Sequence, residues 1–199
     1  MKPNLKSLRL LIISFTTVIT LSGCVTALVA GAAITTIDIL HDRRTAGEYI
    51  DDAAIELTAF NITRGNKEIS SQAHIKTQSW NGILLVTGEV DNEEIKHVFL
   101  PKLSNIQGVR QVVDETTVIG KSKLLTRAND SWIATRVKSL LVLKTGLTAN
   151  RIKIVTTRRS VYLMGIVTQK EADRATELAR TIKGVVRVVK VFEYKDESA

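Results

Sequence analysis

Ile106-Gln107-Gly108-Val109-Arg110-Gln111-Val112-Val113 is answered downstream by Ile182-Lys183-Gly184-Val185-Val186-Arg187-Val188-Val189. Working outward, Ile83-Leu84-Leu85-Val86-Thr87-Gly88-Glu89-Val90 matches Ser160-Val161-Tyr162-Leu163-Met164-Gly165-Ile166-Val167. Further upstream, His74-Ile75-Lys76 matches Arg151-Ile152-Lys153, and Asp52-Ala53-Ala54-Ile55 matches Asp130-Ser131-Trp132-Ile133. From first block to last the offsets are 78, 77, 77 and 76 residues. A nearly constant offset over four blocks is the mark of a duplicated folding unit.

Both copies read alike. In the second, Ile133, Val137, Leu140 and Leu141 fall on one stripe of a helix, with Asp130 or Ser131 as the expected cap. In the first, Ile55, Ala59 and Ile62 form a weaker stripe, with Asp51 or Asp52 as cap. Alternation follows: Ile152, Ile154, Val161, Leu163, Gly165 and Val167 lie on one face of a pair of strands. The first copy turns through Ser79-Trp80-Asn81-Gly82, where Asn-Gly suits a left-handed hairpin turn, and Trp80 reads as a turn-flanking residue. The second copy turns through Thr157-Arg158-Arg159-Ser160 and exposes two more positive charges.

A second helix, capped by Thr168, carries Ala172, Ala175, Leu178 and Ala179, and Gly184 is expected to end it with a positive φ. In the first copy Pro101 falls inside this helix and predicts a kink or break. The order is helix, strand, strand, helix, strand, twice over. This is an α+β chain of two units, each a three-stranded mixed sheet packed on two helices. Two helices cover one sheet face only, so the other is wet or covered, for instance by the sister unit.

The N-terminus has a different character. Lys2, Lys6 and Arg9 precede an apolar run from Leu10 to Thr20, too short to span a bilayer, and then Leu21-Ser22-Gly23-Cys24. This resembles the lipobox of bacterial lipoproteins, which implies a cleaved signal over 1–23 and an acylated Cys24. Cys24 is the only cysteine, so no disulfide forms within one chain. Val25 in place of aspartate after the cysteine implies transfer to the outer membrane. The apolar and charged stretch 24–47 lies on the membrane, lies against the folded part, or is a disordered tether; composition does not choose.

Charge is divided unevenly. Residues 24–120 carry 8 basic and 13 acidic side chains, whereas residues 121–199 carry 17 basic and 7 acidic. Such asymmetry marks a partner surface. An exported lipoprotein does not meet nucleic acid, so the available polyanion is acidic phospholipid.

The αββαβ unit, with Val161-x-Leu163-x-Gly165-x-Val167 and the Gly184-Val185 ending, resembles the BON domain of bacterial envelope proteins. A lipobox followed by two such units is similar to the dual-BON-domain outer-membrane lipoproteins. The resemblance includes the run Asn129-Asp130-Ser131-Trp132-Ile133-Ala134-Thr135-Arg136-Val137-Lys138-Ser139. It implies that the second domain binds anionic phospholipid through its first helix. It also implies that the protein gathers at division sites and supports the outer-membrane barrier and its assembly machinery. The corresponding division is 1–23 signal peptide, 24–47 lipidated linker, 48–119 first (acidic) BON domain, 120–128 linker, 129–195 second (basic) BON domain and 196–199 tail. Ala54 stands where the second copy has Trp132, so lipid binding does not carry over to the first domain.

The residues themselves support that assignment. At about 100° per residue, the apolar stripe of the second copy's helix leaves Trp132, Thr135, Lys138, Ser139 and Val142 on the opposite face, with Arg136 at its edge. An indole beside cations suits a headgroup interface. Lys144, Arg158 and Arg159 add to the field if the fold brings them to the same side. Enzymatic readings find no support: His41, His74 and His97 are scattered, the thiol is acylated, and no phosphate-cradling glycine loop occurs. No cofactor is expected. Two alternatives stand beside lipid docking. One is an adaptor for envelope assembly or protease machinery; the other is docking of the acidic half on the basic half, which would use up the charge.

Overall fold

Residues 43–120, 124–145 and 151–196 are described by the computed structural model. The expected signal peptide, Cys24 and the expected linker as far as residue 42 lie outside them. The first unit comprises α1 (Ala46–Phe60), a π-helical turn (Asn61–Gly65), the short α2 (Lys67–Gln72), β1 (Ala73–Trp80), β2 (Ile83–Val90), α3 (Glu93–Ser104) and β3 (Gln111–Val118). The second comprises α4 (Leu124–Thr145), β4 (Lys153–Thr157), β5 (Ser160–Val167), α5 (Gln169–Arg180) and β6 (Arg187–Tyr194). Each sheet is mixed, with its first two strands antiparallel and its last parallel to the central one.

Both expected aspartate caps are overturned. Thr45 caps α1 through a reciprocal pair: its hydroxyl accepts from the Glu48 N–H, and its own N–H donates to Glu48. Asp52 lies further along, buried, and grips the β1–β2 turn. Its carboxylate accepts from the N–H groups of Asn81 (2.7 Å) and Gly82 (2.9 Å), from Ser79 Oγ (2.5 Å) and from Arg44 Nη1 (2.7 Å). Burial alone would raise its pKa, but these hydrogen bonds, led by Gly82, hold the carboxyl below the usual range.

Asp130 repeats the arrangement. It sits inside α4, buried, and accepts from the N–H groups of Arg158 and Arg159 at 2.8 Å each. Residues 124–128, expected as linker, are therefore the first turns of α4; Leu124, Leu125, Arg127 and Ala128 are good helix formers with no breaker among them.

The two turns share a left-handed backbone at both central positions. Asn81 and Gly82 have φ of +50° and +74°, and Arg158 and Arg159 have +48° and +64°. For arginine this conformation costs about 1–2 kcal/mol per residue. Two adjacent N–H groups then converge on one carboxylate, and the charge-assisted bonds offset that cost.

Thr168 caps α5 with Glu171 as expected. Gly184 has the expected positive φ, +103°, but α5 already ends at Arg180. The glycine instead shapes the turn into β6, where a Cβ would lie 3.4 Å from Ile133 Cδ1. Nor does Pro101 break α3, which continues to Ser104. Phe99 and Leu103, on either side of the proline, are fully buried in the first core, and that packing holds the last turn.

Three apolar clusters result. Ile55, Ala59, Leu84, Val86, Phe99 and Leu103 fill the space between the first sheet and its helices. Ile133, Val137, Leu141, Val161, Leu163 and Ala175 do the same in the second. The third lies between the sheets: Trp80, Ile83 and Leu85 meet Val155, Tyr162, Met164 and Val191. The sheet faces bare of helices thus cover each other. Trp80 is buried there, with the Arg44 guanidinium 3.7 Å from its ring centroid; it is an interface residue more than a turn flank.

Ion pairs rim this contact. Lys153 meets Glu56 at 2.6 Å, Arg187 meets Glu115 at 2.5 Å, Arg110 meets Glu193 at 2.6 Å, and Arg43, ahead of α1, meets Glu171 at 2.6 Å. From the second unit these take two cations, Lys153 and Arg187, and two anions, Glu193 and Glu171. The interface therefore leaves the basic excess of that unit unchanged.

Asp52→Ala removes the buried acceptor shared by Arg44, Ser79 and the Asn81 and Gly82 N–H groups and should cost about 3 kcal/mol. Asp130→Ala frees only two turn N–H groups and should cost about 1–2 kcal/mol. Shifts in urea midpoint measure both. The Arg43 bond holds Glu171 at a pKa of about 2, below its ordinary 4.5. A depressed folded pKa gives stability that is present above the ordinary value and lost as pH falls towards 2. Arg43→Ala should therefore flatten the fall in urea midpoint between about pH 5 and about pH 3.

Candidate functional site

Asp130 fixes the rotation of α4. With its carboxylate on the β4–β5 turn and Ile133, Val137 and Leu141 in the second core, the opposite half of the helix faces out. All six side chains expected there, Trp132, Thr135, Arg136, Lys138, Ser139 and Val142, are exposed. Trp132 is 49% exposed and Val142 44%.

The outward face has internal order. The Arg136 guanidinium lies 5.5 Å from the Trp132 ring centroid, a cation–π contact that fixes the indole and keeps the charge beside it. The Thr135 hydroxyl donates to the Ser131 carbonyl at 2.9 Å, so its methyl group is turned to the surface without an unsatisfied donor. Neither Arg136 nor Lys138 has a carboxylate partner among the described residues.

Three leucines belong to the same face and were missed in the sequence. Leu143 is 81% exposed and stands eleven positions after Trp132, which returns it to nearly the same angle. The helical wheel that found Trp132 would have found it. Leu124 and Leu125 are also open, at 80% and 81%, but starting the helix at Asp130 hid them. From Leu125 to Leu143 the face runs for about 27 Å.

The extra cations do not all gather there. The Arg158-Arg159 backbone is held on the buried side of α4, opposite Trp132, and Arg159 Nε donates to the Gly184 carbonyl at 2.7 Å. Lys144 stands near the helix end, about 18 Å along the axis from Trp132. The field on the face therefore rests on Arg136 and Lys138, with Lys144 at one end.

On the first unit, α1 carries Ala54 where α4 carries Trp132, and its outward residues Ile50, Leu57 and Phe60 are accompanied by Glu48 and Asp51. That face lacks the cations of α4. Among the described residues no group of His, Cys, Asp and Glu could hold a metal ion, and no helix is long and apolar enough to cross a membrane.

The BON domain family model matches residues 51–120 and again 129–196. The chain is similar to the outer membrane lipoprotein DolP of Haemophilus influenzae, 33% identical over 97% of this chain and 100% of that one. It is also similar to a 21 kDa hemolysin of Actinobacillus pleuropneumoniae, 29% identical over 77% of this chain and 79% of the other. Among solved structures, the C-terminal domain of CdsD, a structural protein of the type III secretion system of Chlamydia trachomatis, aligns at 17% identity with a TM-score of 0.29. That alignment covers 73% of this chain and 67% of the other. With both repeats matched and a relative of 33% identity aligned over its whole length, the chain belongs to the BON-domain family, as a DolP-like outer-membrane lipoprotein with two such domains.

Proposed function

We propose that this lipoprotein is non-enzymatic and docks its second BON domain on anionic phospholipid through the outward face of α4. Acylated Cys24 holds it to the outer membrane, facing the periplasm. The observation that carries this reading is the half-exposed Trp132 with Arg136 stacked on it, on a helix face whose exposed residues include no carboxylate. Indole rings settle at headgroup depth, where the ring is dehydrated and its N–H stays wet. Each nearby Arg or Lys adds about 1 kcal/mol beside an acidic surface. Leu125 and Leu143 extend the apolar contact at either end of the helix.

The acyl anchor makes such a weak second contact effective. The anchor already confines the protein to the membrane surface, so the α4 face has only to choose where on that surface the protein dwells. Enrichment at division sites and support of outer-membrane integrity accompany this reading through the family resemblance. Docking of the acidic half on the basic half does not compete with it, because the interdomain ion pairs leave the second domain's charge balance as it was.

Sedimentation with vesicles tests the reading on the mature chain carrying Cys24→Ser. Binding to phosphatidylglycerol vesicles should exceed binding to phosphatidylcholine vesicles and weaken as salt is added. Trp132→Glu should weaken it by at least about tenfold, or about 1.4 kcal/mol. On binding, acrylamide quenching should fall for Trp132 and stay low for buried Trp80. Unchanged binding by Trp132→Glu rejects this face; failure to bind any vesicle rejects lipid docking.

A further inference from the structure

The duplication allows each position of one domain to be held against its counterpart in the other, and one difference leaves a polar gap. In the first domain the edge strand β1 turns the backbone of Ser79 away from β2. Its N–H donates to Glu56 Oε1, on α1, at 2.9 Å. The equivalent strand residue in the second domain is Thr156, and the equivalent helix residue is Ala134, whose methyl group accepts nothing. The Thr156 backbone is likewise turned away from β5, since its carbonyl accepts from Lys76 Nζ at 3.3 Å. The hydroxyls differ too. Ser79 Oγ donates to Asp52, whereas Thr156 Oγ1 is buried with no hydrogen-bond partner, on a residue only 5% exposed.

This gap opens into a cleft of about 420 Å³ between the two domains, lined among others by Phe60, Arg64, Lys76, Ser131, Ala134 and Thr156. Its electrostatics favour an anion. Glu56 is taken by Lys153, and Asp130 by the Arg158 and Arg159 N–H groups. Arg64 and Lys76 have no carboxylate partner among the described residues. Its walls favour a peptide. β1 and β4 are edge strands, and the alternation that turns the backbones of Ser79 and Thr156 away from the neighbouring strand also turns those of Ile75, Thr77 and Ile154, all of which line the cleft. Edge strands offer N–H and C=O groups at the spacing of an extended chain.

We propose that this cleft binds an extended acidic peptide segment, whose carboxylate takes at Thr156 the place that Glu56 takes at Ser79. The carboxylate accepts from the Thr156 N–H and hydroxyl, Lys76 and Arg64 neutralise it, and Phe60 and Ile154 pack against its neighbours. The site lies apart from Trp132 and Arg136: Ser131 and Ala134 sit on the flank of the helix that Thr135 and Lys138 share, and Trp132 is on its far side. The protein can therefore hold membrane and peptide at once.

The test uses the full acylated chain in phosphatidylcholine nanodiscs and a fluorescein-labelled Thr-Val-Glu-Val-Thr peptide, read by anisotropy and by amide shifts. Binding should move the Thr156 and Ala134 amides and be at least about tenfold tighter than for the Gln-containing peptide. Ala134→Glu supplies the missing carboxylate from within, so it should abolish binding while raising the melting temperature. Thr156→Val should weaken binding several-fold. Trp132→Glu should leave it unchanged, which separates this site from lipid docking. No binding, equal binding of the Gln peptide, or undiminished binding by Ala134→Glu would overturn the proposal. So would binding of a dodecanoate probe in the absence of peptide binding.

Discussion

A three-stranded sheet with both helices on one side must still bury its other side. The third apolar cluster meets that constraint. Trp80, Leu85, Tyr162 and Met164 come from alternate positions of strands whose remaining residues fill the two helix-covered cores. Neither domain has a second layer of its own, so each serves as the other's. The tandem duplication is therefore an architectural requirement as well as a repeat: half of each sheet depends on the neighbour for its desolvation.

Once the sheets are paired, the outer helices have little freedom. Asp52 and Asp130 each bind two consecutive N–H groups of a left-handed turn, which ties the rotation of α1 and α4 to the strands below. On α4 that rotation decides which residues meet water, and Trp132 with Arg136 is the result. On α1 the same device operates, reinforced by Arg44, but the outward face carries acidic residues. Two helices of the same origin thus present opposite chemistry on a shared frame. The interdomain ion pairs draw equally on both signs from the second domain, which preserves that contrast.

In the functions proposed above, three parts of one small chain divide the work: the acyl anchor at Cys24 confines the protein to a surface, the indole face of α4 chooses a position on it, and the cleft at Thr156 is left for a peptide. Their separation follows from helix geometry. Residues on the flank of α4, such as Ser131 and Ala134, line the cleft. Trp132 points away from both the cleft and the core.

The duplication, the strand alternation, the Thr168 cap and the outward set from Trp132 to Val142 were all legible in the sequence, because each is a matter of period and local backbone chemistry. So was the need for something to cover the bare sheet faces. The roles of Asp52 and Asp130 were not legible. An aspartate near a helix start looks the same whether it caps its own N–H groups or reaches to a turn some thirty residues away. Misreading Asp130 also hid Leu124 and Leu125. Pro101 misled for the opposite reason, since local strain predicted a break that the burial of Phe99 and Leu103 overrides. The sequence by itself determined which residues recur and which face each strand or helix turns inward. Only the tertiary structure decided what those faces meet, because burial between two sheets and hydrogen bonds across a helix and a turn depend on distances that spacing along the chain does not carry.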